Sequence, residues 1–280
     1  MELRARLVVE GFITGLHKSP YHGFSVEFAE HRQYMPGDEI RHIDWKVYGR
    51  TDRYYIKQYE EETNLKSYII LDASRSMQYA SPGNITKLEY GSYLVASLSY
   101  MMLKQQDAVG LTIFDERITT YLPPHATRAY LRQILVTLEK LEPGNGTGAG
   151  TSLHQVADRI KRRGLVIIIS DLLDKPDEVL AALKHFRHKK NEVIVMQVLD
   201  PRELTFAFDE DAIFKDMETA DRLMTQPWQI RKAYQREMGA FVERYKKECR
   251  ENYVDYVQLD TATPFDVALI EYLSKRAKMF

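Results

Sequence analysis

The stretch YIILDASRSM (residues 68–77) decides how the rest of the chain is read: a run of β-type apolar residues stops at Asp72, and two serines follow at alternate positions. A strand that is apolar without interruption is one covered on both faces, as the strands of parallel sheets are. Alternate spacing past the strand end turns the side chains of Asp72, Ser74 and Ser76 to one side. Three oxygen-bearing side chains facing a common point read as a metal site, as a nucleophile with neighbours, or as a polar turn at an ordinary strand end.

The same kind of strand recurs along the chain. SYIILD (67–72), AVGLTIFD (108–115), LVIIISD (165–171), EVIVMQVLD (192–200) and YVDYVQLD (253–260) are separated by helical patterns at 86–105, 127–141, 152–162, 175–188, 229–251 and 265–276. Strands alternating with helices predict an α/β fold: a Rossmann-like, doubly wound, mostly parallel sheet flanked by helices. RITTYL (117–122) is expected to pair antiparallel beside the second strand. These elements assign residues 67–280 to one domain. Residues 1–66 are more polar, with short β alternation, a Pro-Gly-Asp turn at 36–38 and a single helical turn around Ile43–Tyr48, and they predict a small N-terminal β-rich appendage. Within it Arg32, Asp38, Arg41, Asp44, Trp45 and Arg50 alternate in sign around one aromatic. They read as a salt-bridged clasp anchored by Trp45, with a partner-binding face as the alternative.

Composition narrows the function classes. A net charge of -1 and a pI near 6.7 supply no bulk attraction to nucleic acid or to an anionic membrane. The single cysteine, Cys249, excludes an intrachain disulfide and suits a reducing compartment. It shares a helical pattern with Tyr234, Met238, Phe241 and Tyr245, which marks it as core. The start, MELRARLVVEGF, has no long apolar stretch, and SYLVASLSYMML (92–103) is too short to span a bilayer. No integral membrane segment and a cytoplasmic location are therefore expected.

In open α/β sheets ligands collect beyond the carboxyl ends of the strands, near the point where strand order reverses. Asp72 and Asp171 both end strands and are candidates for one crevice. The glycine-rich PGNGTGAG (143–150) permits close approach and delivers the hydroxyl of Thr151. Hydroxyls, carboxylates and water are the donors preferred by Mg²⁺ or Mn²⁺, and these few protein groups would leave a position open for water or for a partner's carboxylate. The competing reading has Asp72 and Ser74 capping the turn, with Thr151 as N-cap of the following helix. Catalytic patterns are poorly represented. An aspartyl nucleophile of the phosphoryl-accepting kind wants a second aspartate two residues on, where Ser74 stands. GNGTGAGTS (144–152) lacks the lysine of a phosphate loop and follows a helix. Neither a Gly-x-Ser-x-Gly nor a His-Glu-x-x-His is present. HFRH (185–188) could clamp a metal, against the reading of a solvated helix face.

DASRS, GTS with Thr151, and SDL with Asp171 resemble the metal-ion-dependent adhesion site of von Willebrand factor A domains. EFAEHRQYMPGDEIRHIDWKVYGR (27–50) with YEEETN (59–64) ahead of that motif resembles domain of unknown function 58, whose bacterial and archaeal members are commonly encoded beside MoxR-type AAA+ ATPases. Gly49 and Tyr55 depart from many relatives, and the membrane spans that many relatives carry at the N-terminus are not transferred. The resemblance implies Mg²⁺ (or Mn²⁺) at Asp72, Ser74, Ser76, Thr151 and Asp171. It also implies a non-enzymatic, metal-dependent protein-binding module whose partner, offering a carboxylate, is a MoxR-type AAA+ ATPase or its client. A metal-dependent phosphoester hydrolase is the alternative.

Overall fold

A computed structural model describes residues 25–35, 38–39, 43–62, 66–144, 146, 148–208, 212–215 and 222–277. Strand β3 (Lys66–Asp72) is buried at every residue after the first, as its apolar run predicts. It lies inside a six-stranded sheet of order β10-β7-β6-β3-β4-β5, built with β4 (Ala108–Phe114), β5 (Ile118–His125), β6 (Leu165–Ser170), β7 (Glu192–Leu199) and β10 (Asp255–Asp260). All neighbours pair parallel except β4 and β5, which are antiparallel as RITTYL foretold. From β3 the chain builds toward one edge through β4 and β5, then returns to the other side of β3 with β6, β7 and β10. The reversal falls between β3 and β6.

Helices cover the sheet: α2 (Lys87–Lys104), α3 (Arg128–Glu139), α4 (Ala149–Arg159), α5 (Pro176–His188), α6 (Pro201–Thr205), α7 (Pro227–Glu251) and α8 (Phe265–Ala277). Tyr68 and Ile70 of β3 join Leu153 of α4, Leu180 and Phe186 of α5, and Tyr245 and Cys249 of α7 in one core. Leu71 and Ile169, one residue out of phase, meet α2 instead. There a side-chain carbon on Gly91 would stand 3.0 Å from Leu71 Cδ1 and 3.2 Å from Ile169 Cγ2. Two covered faces are the reason the strands carry no polar alternation.

Three features differ from the sequence expectation. Helix α4 begins at Ala149, so the end of the glycine-rich stretch is already helical. A two-stranded hairpin, β8 (Ala212–Lys215) with β9 (Arg222–Thr225), was not foreseen, because four residues are too few to display alternation. Helix α6 was missed although its signal was present: Asp200 and Glu203 form a capping box around Pro201 at the first turn.

The chain divides into two compact units, with Lys18–Leu65 forming the smaller. In it β1 (Ser25–Gln33) pairs antiparallel with β2 (Tyr55–Glu62), with a bulge between Phe28 and Glu30. The expected helical turn is α1 (Trp45–Thr51), capped by the Asp44 carboxylate, which accepts from the amides of Lys46 and Val47. Arg32 pairs with Asp38 at 2.8 Å. Trp45 is 57% exposed and rests edge-on against Tyr48. Arg41 lies outside the described residues.

Candidate metal centre

Asp72 is the last residue of β3, and Asp171 is the first beyond β6. Because the register sets Leu71 opposite Ile169, Asp72 lies level with Ser170. The Ser170 hydroxyl donates to Asp72 Oδ2 at 2.6 Å, and the Ser74 amide donates to Oδ1 at 2.8 Å. The chain then enters a 3-10 turn (Arg75–Gln78) pinned by Met77, which is fully buried. This turn brings the hydroxyls of Ser74 and Ser76 to 3.1 Å of each other. Its base is clamped on both sides: the Ala73 amide donates to Phe114 O, and the Gly144 amide donates to Ala73 O, each at 2.7 Å. A side chain on Gly144 would strike Asp115, so the glycine is what lets that loop pass close to the end of β4.

Asp171 is fully buried and committed at both oxygens. Oδ1 accepts from the Leu173 amide at 3.1 Å, and Oδ2 accepts from Lys87 Nζ at 2.7 Å. Lys87, the first residue of α2, is itself fully buried, and its ammonium also donates to Glu203 Oε1 of α6 at 2.6 Å. Burial pulls the lysine pKa down, but the Asp171 and Glu203 carboxylates outweigh it and hold it above its ordinary value. Burial raises Glu203 in spite of the lysine. Burial and then the Asp171 charge push Asp72 up to about 7, against the opposing hydrogen bonds from Ser170 and Ser74. The Asp171 and Glu203 carboxylates thus share one buried ammonium, and Asp72 lies close enough to Asp171 to feel its charge.

Thr151 is the third residue of α4 and is exposed. It is not the N-cap, a position that Gly148 fills. The amide of Gly150 reaches Asp174 Oδ2 at 3.4 Å, which ties the start of α4 to the loop that follows Asp171. Structure thus gathers Asp72, Ser74, Ser76 and Asp171, and sets Thr151 at the neighbouring helix end.

Residues 30–243 match the family described as "Protein of unknown function DUF58". The chain belongs to the DUF58 family. Among curated proteins it is similar to "Uncharacterized protein Rv1480" of Mycobacterium tuberculosis (strain ATCC 25618 / H37Rv) and "Uncharacterized protein Mb1516" of Mycobacterium bovis. Each is 25% identical over 228 residues, covering 78% of this chain and 69% of the relative. Among solved structures it resembles an aerotolerance-related membrane protein from Bacteroides fragilis NCTC 9343, with a TM-score of 0.52 and 19% identity, over 77% of this chain and all of that one. That likeness concerns the fold.

In this DUF58 chain the donors suit a hard cation. Two oxygens on adjacent corners of an octahedron with Mg²⁺–O distances of 2.0–2.1 Å stand about 2.8–3.0 Å apart, and the serine pair needs little movement to meet that spacing. Among the described residues no three His, Cys, Asp or Glu side chains converge as a metal cluster, so a cation here depends on the hydroxyls. His185 of HFRH faces His154, Nδ1 to Nδ1 at 3.2 Å, a separation that one imidazole hydrogen bond accounts for. No described helix is long and apolar enough to cross a membrane. Sequence reasoning missed Ser170, Lys87 and Glu203. For Lys87 a signal existed: it shares a helical face with Tyr90, Gly91 and Leu94, where a charge must find a buried partner.

Proposed function

We propose that this DUF58 chain is a non-enzymatic protein-binding module that works through a divalent cation, Mg²⁺ or Mn²⁺. Asp72, Ser74, Ser76, Thr151 and Asp171 hold it directly or through water. The observation that carries the reading is the serine hydroxyl pair at 3.1 Å, directly beyond the buried Asp72 carboxylate at the reversal of strand order. A bound ion would supply an electrophilic position able to accept a carboxylate from a protein partner. The chain's own groups do the rest: Ser170 and the Ser74 amide orient Asp72, and Lys87 orients Asp171. Following the family resemblance, the partner is a MoxR-type AAA+ ATPase or its client, with this chain as adaptor in assembly or maturation.

The test is a titration of the metal-free chain with Mg²⁺ and Mn²⁺, followed by heat. An ion that binds only the native state raises Tm by mass action. Saturable binding that Ser74→Ala removes, and capture of the purified ATPase that Asp171→Ala or chelator abolishes, are the expected results. Binding untouched by Ser74→Ala would overturn the reading.

One observation favours phosphoester hydrolysis instead: a carboxyl near 7 has the proton affinity of a general base. Asp72 is poorly placed for that role, because it is 1% exposed and both oxygens are engaged. Mg²⁺-stimulated turnover of p-nitrophenyl phosphate, lost in Asp72→Ala, would establish it.

A further inference from the structure

Lys87 is a buried cation beside a proposed cation site, and buried ammonium groups are rare unless paired. Its pairing is divided. One anion, Asp171, belongs to the crevice, while the other, Glu203, sits on α6, held by its second oxygen on the Asp200 amide at 2.9 Å. The ammonium is therefore pinned between two rigid elements and cannot swing away from Asp171.

This has a consequence for ligation. A divalent ion bound directly to Asp171 Oδ2 would stand within about 5 Å of the ammonium, given Mg²⁺–O or Ca²⁺–O distances of 2.0–2.6 Å and the 2.7 Å contact to Lys87. Like charges at that range repel strongly where water is excluded. Oδ1 already accepts from the Leu173 amide. Asp171 is left as an acceptor for metal-bound water. Mg²⁺ keeps several waters when bound, whereas Ca²⁺ favours many direct oxygen ligands, carboxylates among them.

We propose that Lys87 is a positioning residue that holds Asp171 off the ion and so makes the site select a small, water-retaining cation, Mg²⁺, over Ca²⁺. This rests on the cation reading of the Asp72–Ser76 turn. Glu203 is the device's second part, because it fixes the lysine and offsets part of its charge. A lysine that merely neutralises a buried carboxylate would affect stability and leave ion selectivity alone.

The experiment measures Mg²⁺ and Ca²⁺ affinities of the full chain by calorimetry for wild type, Lys87→Met and Glu203→Gln. Wild type is expected to prefer Mg²⁺. Lys87→Met frees Asp171 for direct ligation and should raise Ca²⁺ affinity about tenfold or more, with a smaller gain for Mg²⁺, so the preference narrows or reverses. Glu203→Gln, nearly isosteric, leaves the whole ammonium charge on Asp171 and should lower Ca²⁺ affinity by about threefold. It decides the matter alone if Lys87→Met does not fold. An unchanged Mg²⁺-to-Ca²⁺ ratio in the folded variants overturns the inference while the cation reading stands. Failure of wild type to bind either ion overturns both.

Discussion

At the scale of single residues, the crevice is a set of charges whose burial decides their behaviour. Asp72, ordinarily near 3.8, is held at about 7 by burial and by the charge of Asp171. The folded chain then binds a proton that the unfolded chain has released, so this group's contribution to stability is complete at low pH and is lost as pH rises from about 4 to about 7. In chelator, urea unfolding at pH 5 and pH 7 should show Asp72 costing about 2–3 kcal/mol across that interval, and Asp72→Asn should remove that part of the slope. Lys87→Met leaves the buried Asp171 and the partly buried Glu203 without their counter-ion and should cost about 3–5 kcal/mol by the same measurement at pH 7. Asp72, Ser74 and Ser76 were visible as a local pattern, because alternation past a strand end needs only neighbours in sequence. Ser170 and Lys87 were not, because their partners lie 98 and 84 residues away.

At the scale of elements, two helical glycines illustrate how packing overrides propensity. Gly91 lets α2 rest against β3 and β6, with Leu71 and Ile169 within 3.2 Å of where a side chain would begin. Gly239 in α7 has no atom within 4 Å of the same position. Gly91→Val should therefore destabilise by about 1–3 kcal/mol through overpacking. Gly239→Ala should stabilise by roughly 0.5–1 kcal/mol through reduced backbone entropy. Paired denaturation curves check both. The strands of the main sheet and its longer helices were readable because each repeats its apolar spacing over several turns or pleats. Helix α6, five residues long, carried only a capping signal, and the β8–β9 hairpin carried none.

For the molecule as a whole, Cys249 is a reporter already in place. It sits 1% exposed in the core shared by β3, β6, β7, α4, α5 and α7, and burial pushes its thiol up to about 12. Native Cys249 should react with a thiol reagent only when that whole core opens, so its labelling rate and denaturant slope should equal those of global unfolding. Faster labelling with a shallow slope would show that α7 detaches on its own. Periodicity and composition alone were sufficient for the α/β class, the order of the main-sheet elements, the burial of Cys249 and the oxygen-rich end of β3, because these depend on contacts repeated within short windows of chain. Strand order was another matter. It put β6 on the side of β3 away from β4, set Ser170 beside Asp72, and placed Lys87 between Asp171 and a glutamate 116 residues away. Such pairings depend on which strands become neighbours, and no short window of sequence carries that information.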